Sequence, residues 1–373
     1  MLEAILNWRT VMIGMIVAVV FLCGLILLLR RVETVAARWF GLFLIFGGLS
    51  MGPQVIGYAG AYNAAPWLTF FPLFYTETLI GPLLIAHAHA LMRGGPLQWR
   101  KWLFAPGFVL SGYYVHAFGF LDGGVFDHRP KWAFNDAIHE PFVSPMESVL
   151  GIALLAFALV SIWRDRRRYI AFLDRTQSAA RDYDPIWLRN LVIAIGMGTV
   201  IYAGIEIADA VGELSYDAMF PFQVILMAIF AWIGIDATWR LTKPFPKMAG
   251  DPEPVCADVA GTDWADRLQA SMVRDQWYLE PRLSIRDVAQ RLGTNESYVS
   301  RALNAGLGVS FNRYVNGLRI EHAKAAMRET AAPLLQIAMD SGFNSKATFN
   351  RVFREMTGQT PSQFRNSEAS QKP

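Results

Sequence analysis

Residues 342–354 read Gly342-Phe343-Asn344-Ser345-Lys346-Ala347-Thr348-Phe349-Asn350-Arg351-Val352-Phe353-Arg354. A glycine for a turn, a short polar cap and an amphipathic run follow one another within thirteen residues. Upstream, Leu335, Ile337, Ala338 and Met339 supply a first helix, and Ala338 is small enough to let a second helix cross it closely. Asn344 is expected to cap the second helix, with Phe349, Val352 and Phe353 on its buried side. The pattern predicts two short helices joined by a tight turn.

The same order stands about fifty residues earlier. Ala289 corresponds to Ala338, Gly293 to Gly342, Arg301 to Arg351, Leu303 to Phe353, Gly308 to Gly358 and Tyr314 to Phe364. Ser284 caps a helix carrying Ile285, Val288, Ala289 and Leu292. Gly293 makes the turn, and Asn295 caps a second helix with Val299, Ala302 and Leu303. The two units are placed at about 284–304 and 334–356. Between them Phe311–Arg328 reads as one long helix, with Tyr314, Leu318, Ala323 and Met327 on one side.

In a helix-turn-helix the start of the second helix enters the major groove. The side chains expected to face DNA are Ser297, Tyr298, Ser300 and Arg301 in the first unit. In the second they are Ser345, Lys346, Ala347, Thr348, Asn350 and Arg351. Arginine pairs with guanine, asparagine with adenine, and a threonine methyl touches thymine. Lys346 and Arg354 suit phosphates, which position a protein without specifying sequence.

These residues carry a resemblance. Leu283–Arg365 is similar to the DNA-binding domain of the AraC/XylS family of transcriptional regulators. The similarity lies in Ile337-Ala338, in Gly342 through Lys346, in Phe349 through Arg354, and in Thr357-Gly358 followed by Thr360-Pro361-Ser362-Gln363-Phe364-Arg365. Leu318-Arg319-Ile320 followed by Ala323 also fits. The resemblance implies two units gripping adjacent major-groove segments of double-stranded DNA, with any homodimer contacts supplied elsewhere. It points to Ser297, Ser300, Arg301, Lys346, Ala347, Thr348 and Arg351 as base-facing. Asn304-Ala305-Gly306 departs from the family, where cations are usual. Fewer cations weaken phosphate attraction, so the first unit is expected to contribute less affinity.

Outward from this third, the chain changes character. It is 53% hydrophobic and 17% charged, against about 25% charged in an average soluble domain. Runs long enough to cross a bilayer need about 20 mainly apolar residues. They fall near Val11–Leu29, Trp39–Ala61, Trp67–Met92, Trp102–Leu121, Met146–Trp163, Trp187–Ala208 and Ala218–Ile235. Val11–Leu29 is too long for a cleaved signal core and reads as an uncleaved span.

The loops give an independent test of the count. Arg30, Arg31 and Arg38 follow the first run; Arg93, Arg100 and Lys101 follow the third. Arg164, Arg166, Arg167, Arg168, Arg175, Arg181 and Arg189 follow the fifth; Arg240, Lys243 and Lys247 follow the seventh. The alternate loops hold only Arg9, Arg129 and Lys131. Positive residues collect on the cytoplasmic side, which predicts a bacterial inner-membrane protein with its N-terminus outside and its C-terminus inside. The basic stretch Arg164–Arg189 reads as the flank of a span. Leu79-Ile80-Gly81-Pro82-Leu83-Leu84 and Asp184-Pro185-Ile186-Trp187-Leu188-Arg189 are similar to segments of multi-span members of the same family.

The expected fold class is all-α: a polytopic helix bundle over 1–240, a linker over 241–261 and a double helix-turn-helix domain over 262–373. Prolines 244, 246, 252 and 254 keep the linker from being helical. Ionisable side chains within spans are costly and often functional; the candidates for sensing are Glu77, His87, His116 and Glu206. The loop with Asp122, Asp127, His128, Asp136, His139 and Glu140 lacks tight ligand spacing and reads as an ordinary polar loop. The two cysteines, Cys23 and Cys256, form no metal or disulfide pattern. No cofactor or metal is expected, and no catalytic motif is present. The expected partners are double-stranded DNA and membrane lipid, with an unnamed small-molecule or extracytoplasmic signal. Two readings of the bundle stand open, a sensor or an anchor and dimerisation platform; a transporter or enzyme fused to a DNA-reading domain is the third.

Overall fold

In a computed structural model of the chain, described over residues 7–60, 76–120, 129–210, 212, 219–240, 244–248 and 261–370, every regular element is a helix. The chain forms two compact units. The first joins Met1–Arg166 to Pro185–Lys247; the second joins Arg167–Asp184 to Met248–Pro373.

The first unit contains α1 (Trp8–Leu28), α2 (Thr34–Leu49), α3 (Gly52–Tyr58), α4 (Glu77–Met92), α5 (Ala105–Tyr114) and α6 (Arg129–Phe134). It also holds most of α7 (Ser144–Thr176), then α8 (Ile186–Ala210) and α9 (Phe220–Arg240). Among the described residues, four helical stretches are long and apolar enough to cross a membrane: Trp8–Leu28, Thr34–Tyr58, Lys131–Thr176 and Phe220–Trp239. Thr78–Met92 and Ile186–Ile201 are shorter apolar helices. The expected run Trp102–Leu121 is broken into a 3-10 turn, α5 and a π-type turn at Val115–Phe120. The first nine residues of the expected run Trp67–Met92 lie outside the described residues, as do Asp122, Asp127, His128 and linker residues 241–243 and 249–260.

Packing in this unit exploits small residues. A Cβ on Gly41 would sit 2.7 Å from the Gly24 carbonyl oxygen, so the backbones of α1 and α2 touch there, as apolar helices do when no side chain separates them. Asp165 is 4% exposed and is paired with both Arg93, at 3.2 Å, and Arg100, at 2.7 Å. Two arginines assigned to one basic loop are thereby tied to an acid in the next. The beginning of the linker is also fixed. The Phe245 N–H donates to Glu33 Oε1 at 2.7 Å, and Lys247 Nζ reaches Glu33 Oε2 at 2.6 Å.

The second unit contains α10 (Gly261–Arg274), α11 (Ile285–Arg291), α12 (Glu296–Arg301), α13 (Phe311–Glu329), α14 (Leu334–Asp340), α15 (Lys346–Thr357) and α16 (Pro361–Ser370). It has two cores strung on one helix. Phe311 and Val315 of α13 pack with Leu268, Met272, Ile285, Val288, Val299 and Leu303. Further along α13, Ile320, Ala323 and Met327 pack with Ile337, Ala338, Phe343, Phe349, Phe353 and Phe364. The buried stripe of α13 thus runs through Phe311, Val315, Arg319, Ile320, Ala323 and Met327. Tyr314 and Leu318, expected on the buried side, are only half-buried.

Candidate nucleic-acid interface

Each helix pair is set by its cap and turn. Ser284 and Asp287 form a reciprocal capping box at the start of α11, satisfying two backbone donors that would otherwise be orphaned. Asn295 accepts from the Tyr298 N–H at 3.1 Å and begins α12 as expected. In the second unit the cap is Ser345, whose hydroxyl accepts from the Thr348 N–H at 3.2 Å. Asn344, expected to cap, instead sends its amide to Asp182 Oδ2 at 2.7 Å and to the Pro281 carbonyl at 3.3 Å. Adjacent Asn and Ser are both good caps, and the pattern alone does not rank them.

Gly342 adopts φ +84°, and a Cβ there would lie 2.7 Å from the Leu279 carbonyl oxygen. Only glycine meets both demands without strain. Gly293 has φ +66° but open space around it.

The second halves of the pairs present the expected side chains unevenly. On α15, Lys346, Ala347, Asn350 and Arg354 are exposed, while Thr348 and Arg351 are half-buried. Ser345, the cap residue ahead of it, is half-buried too. Arg351 Nη1 pairs with Glu355 Oε2 at 2.8 Å, one helical turn on. Burial, and then the charge of Arg181, pull the Arg351 guanidinium below its ordinary value, against the pull of Glu355. In the first unit Ser297, Tyr298, Ser300 and Arg301 are all half-buried. The Arg301 guanidinium lies over the Tyr298 ring at 4.6 Å, and the Ser300 hydroxyl accepts from Asn304 at 3.1 Å. After Arg301 the helix loosens into a π-type stretch, Ala302–Leu307, which contains the departing Asn304-Ala305-Gly306. The second unit keeps regular α-helix through Thr357.

In the sequence Arg319 stands only within the family-like run Leu318-Arg319-Ile320, with no role attached to it. It is 1% exposed; Nε donates to the Tyr278 carbonyl at 2.7 Å and Nη2 to the Glu280 carbonyl at 2.6 Å and Ser178 Oγ at 3.2 Å. Burial pulls its pKa down to about 10, eased by the nearby Asp182 carboxylate. It remains a cation at neutral pH, held by carbonyl dipoles.

This region has matches among known proteins. The "Helix-turn-helix domain" family model matches residues 288–367. The C-terminal domain is an AraC-type helix-turn-helix domain. The chain is 40% identical over 83 residues to an uncharacterized HTH-type transcriptional regulator of Staphylococcus aureus strain COL, covering 22% of this chain and 11% of that one. It is 32% identical over 104 residues to the right origin-binding protein of Escherichia coli strain K12, covering 26% and 36%. The chain therefore spans well under two thirds of the length of either curated relative. Among solved structures, a protein of unknown function from Listeria innocua is similar at 25% identity and a TM-score of 0.25, covering 27% of this chain and 94% of that one. The C-terminal domain of AraT, a response regulator from Geobacillus stearothermophilus, is similar at 24% identity and a TM-score of 0.26, covering 30% and 86%. The AraC-type match takes in α12, α13 and α15.

Of the four expected sensing residues, the structure describes the side chains of His87 and His116. His87 is fully buried, with Nδ1 at 2.8 Å from the Ala36 carbonyl and its ring against Phe40 and Trp187. His116 is exposed. The side chains of Glu77 and Glu206 lie outside the described residues. Neither His87 nor His116 lines the cavity of about 230 Å³ in the first unit, whose polar lining among the described residues is neutral: Ser50, Gln54, Ser148, Thr199 and Gln223. Such a cavity depends on residues from six separate helices, which no local spacing in the sequence joins. Among the described residues, no group of three or more His, Cys, Asp or Glu is placed to hold a metal.

Proposed function

We propose that the chain is a sequence-specific, DNA-binding transcription regulator tethered to the bacterial inner membrane. In this reading the 1–240 region crosses the membrane seven times, with the N-terminus outside. It holds the AraC-type domain of residues 262–373 at the cytoplasmic face, through the linker 241–261. The observation that carries the DNA-binding part is the AraC-type match over both recognition helices, with Lys346, Asn350 and Arg354 exposed on the second. The alternating loop charge and the apolar helices support the membrane part.

Ser297, Tyr298, Ser300, Arg301, Ser345, Lys346, Ala347, Thr348, Asn350, Arg351 and Arg354 form the DNA-facing set. Arg351 exchanges Glu355 for a base edge on binding, while Lys346 and Arg354 meet phosphates. The bundle acts as the sensor, and its neutral-lined cavity suits a small uncharged molecule better than an ion.

The test is selection of duplexes from a random pool by the full chain in lipid nanodiscs. Enrichment of a sequence with two contacted segments about one helical turn apart is expected. Binding that depends on salt and ignores sequence would overturn the reading.

A further inference from the structure

By its sequence, the chain between α7 and α8 looks like the basic edge of a span. In the structure Arg167–Asp184 is part of the C-terminal unit. Gln177 forms an antiparallel bridge with Ser284, the cap of α11, and the Ser178 N–H donates to the Leu283 carbonyl at 3.0 Å. Asn312, in the first turn of α13, donates to the carbonyls of Gln177 and Ser178 at 3.1 and 2.7 Å. Arg319 reaches Ser178 Oγ from further along α13. Asp182 accepts from Asn344, the residue just before the cap of α15.

These five hydrogen bonds are directional, and they converge on six residues, Gln177 to Asp182. Ser178 is 2% exposed. A flank that merely ran past would leave its backbone to water. The partners come from α11, α13 and the start of α15, so the segment touches both helix-turn-helix units and the helix joining them.

We infer that Gln177–Asp182 is a docking strap that positions the recognition helix α15, and that the bundle acts on DNA binding through it. The inference rests on the membrane-tethered reading above. Its route is covalent: α7 is one continuous helix, with residues up to Arg166 in the first unit and the remainder, to Thr176, in the second. The strap follows directly, and Asp182 is its contact with α15.

Two measurements on the full chain in nanodiscs test this, using a duplex that the unaltered chain has selected from a random pool. The first places Gln177→Cys with Ser284→Cys in a Cys23→Ser, Cys256→Ser background under mild oxidation. Residues opposed in an antiparallel bridge lie within disulfide reach, so an intramolecular disulfide is expected; its absence overturns the strap. The second compares Asp182→Asn with Asp182→Ala. Both lose the charge, but asparagine keeps an oxygen to accept from Asn344. Alanine is expected to bind the duplex about fivefold more weakly than asparagine, the scale of one neutral hydrogen bond. Equal affinities overturn the transmission. If the unaltered chain enriches no sequence at all, the DNA-binding reading fails and takes this inference with it; if it does enrich one and either variant result is negative, only the inference fails.

Discussion

Arg319 and Tyr278 meet inside the C-terminal unit: the guanidinium, 1% exposed, donates from Nε to the Tyr278 carbonyl oxygen at 2.7 Å. A single buried cation thus fixes the joining helix α13 to the turn that precedes α11. Arg319→Ala is expected to cost about 3 kcal/mol, the scale for breaking a buried charged hydrogen-bond set. Arg319→Lys should recover little of it, because one ammonium cannot span the Tyr278 and Glu280 carbonyls and Ser178 Oγ together. Pulse proteolysis of the full chain, followed through a C-terminal tag, measures both; a lysine variant as stable as the parent refutes the geometry. The folded pKa of about 10 lies below the ordinary arginine value, so the folded chain gives up this proton at a lower pH than the unfolded chain. Stability from this group therefore rises with pH only from about 10 upward and is flat near neutrality.

Arg351→Ala should remove about 1–3 kcal/mol of discrimination between the selected duplex and a scrambled one. Lys346→Ala or Arg354→Ala should weaken binding to both duplexes alike and lower the salt slope by roughly one unit. Competition binding at several salt concentrations separates the two patterns. Interchanged patterns would mean that the base-facing and phosphate-facing sides of α15 are assigned wrongly.

Gly342→Ala should destabilise more than Gly293→Ala. Both positions have positive φ, which costs alanine about 1–2 kcal/mol. Only at Gly342 does the new methyl also meet backbone, at 2.7 Å from the Leu279 carbonyl oxygen. The comparison is made by thermal unfolding of the two variants side by side, and equal losses would argue against the close approach of that turn to residues 278–279.

Ser345→Ala should cost about 1 kcal/mol through loss of the helix cap. Asn344→Ala leaves that cap intact and removes the bond to Asp182. Hydrogen exchange over the first turn of α15 distinguishes them: faster exchange is expected at Thr348 in the serine variant and little change there in the asparagine variant.

Much of the C-terminal unit is legible in its sequence because its determinants are local. Ser284 and Asn295 cap where expected, Gly293 and Gly342 turn the chain, and Ile285, Val288, Phe349 and Val352 recur at helical spacing on buried faces. What escapes notice is non-local. Arg319 looks like one more cation on a polar helix until the carbonyls of Tyr278 and Glu280 are brought to it from about forty residues away. Ser178 and Asp182 sit in a run of arginines whose charge suggests a lipid-facing edge, and their partners are more than a hundred residues distant. In the bundle, apolar composition reveals that helices exist but not which will be long. The stretch at 102–121 is apolar enough to span, yet it turns through 3-10 and π-type geometry around α5.

The second unit is assembled from two stretches of chain, Arg167–Asp184 and Met248–Pro373. On the membrane-tethered reading proposed above, a protease that nicked the backbone between 249 and 260 would therefore not set free a diffusible factor at once. The severed fragment would stay bound through Asn312, Arg319 and Asn344 until those contacts opened. Liberation would then keep the pace of a local unfolding event and not that of peptide-bond hydrolysis.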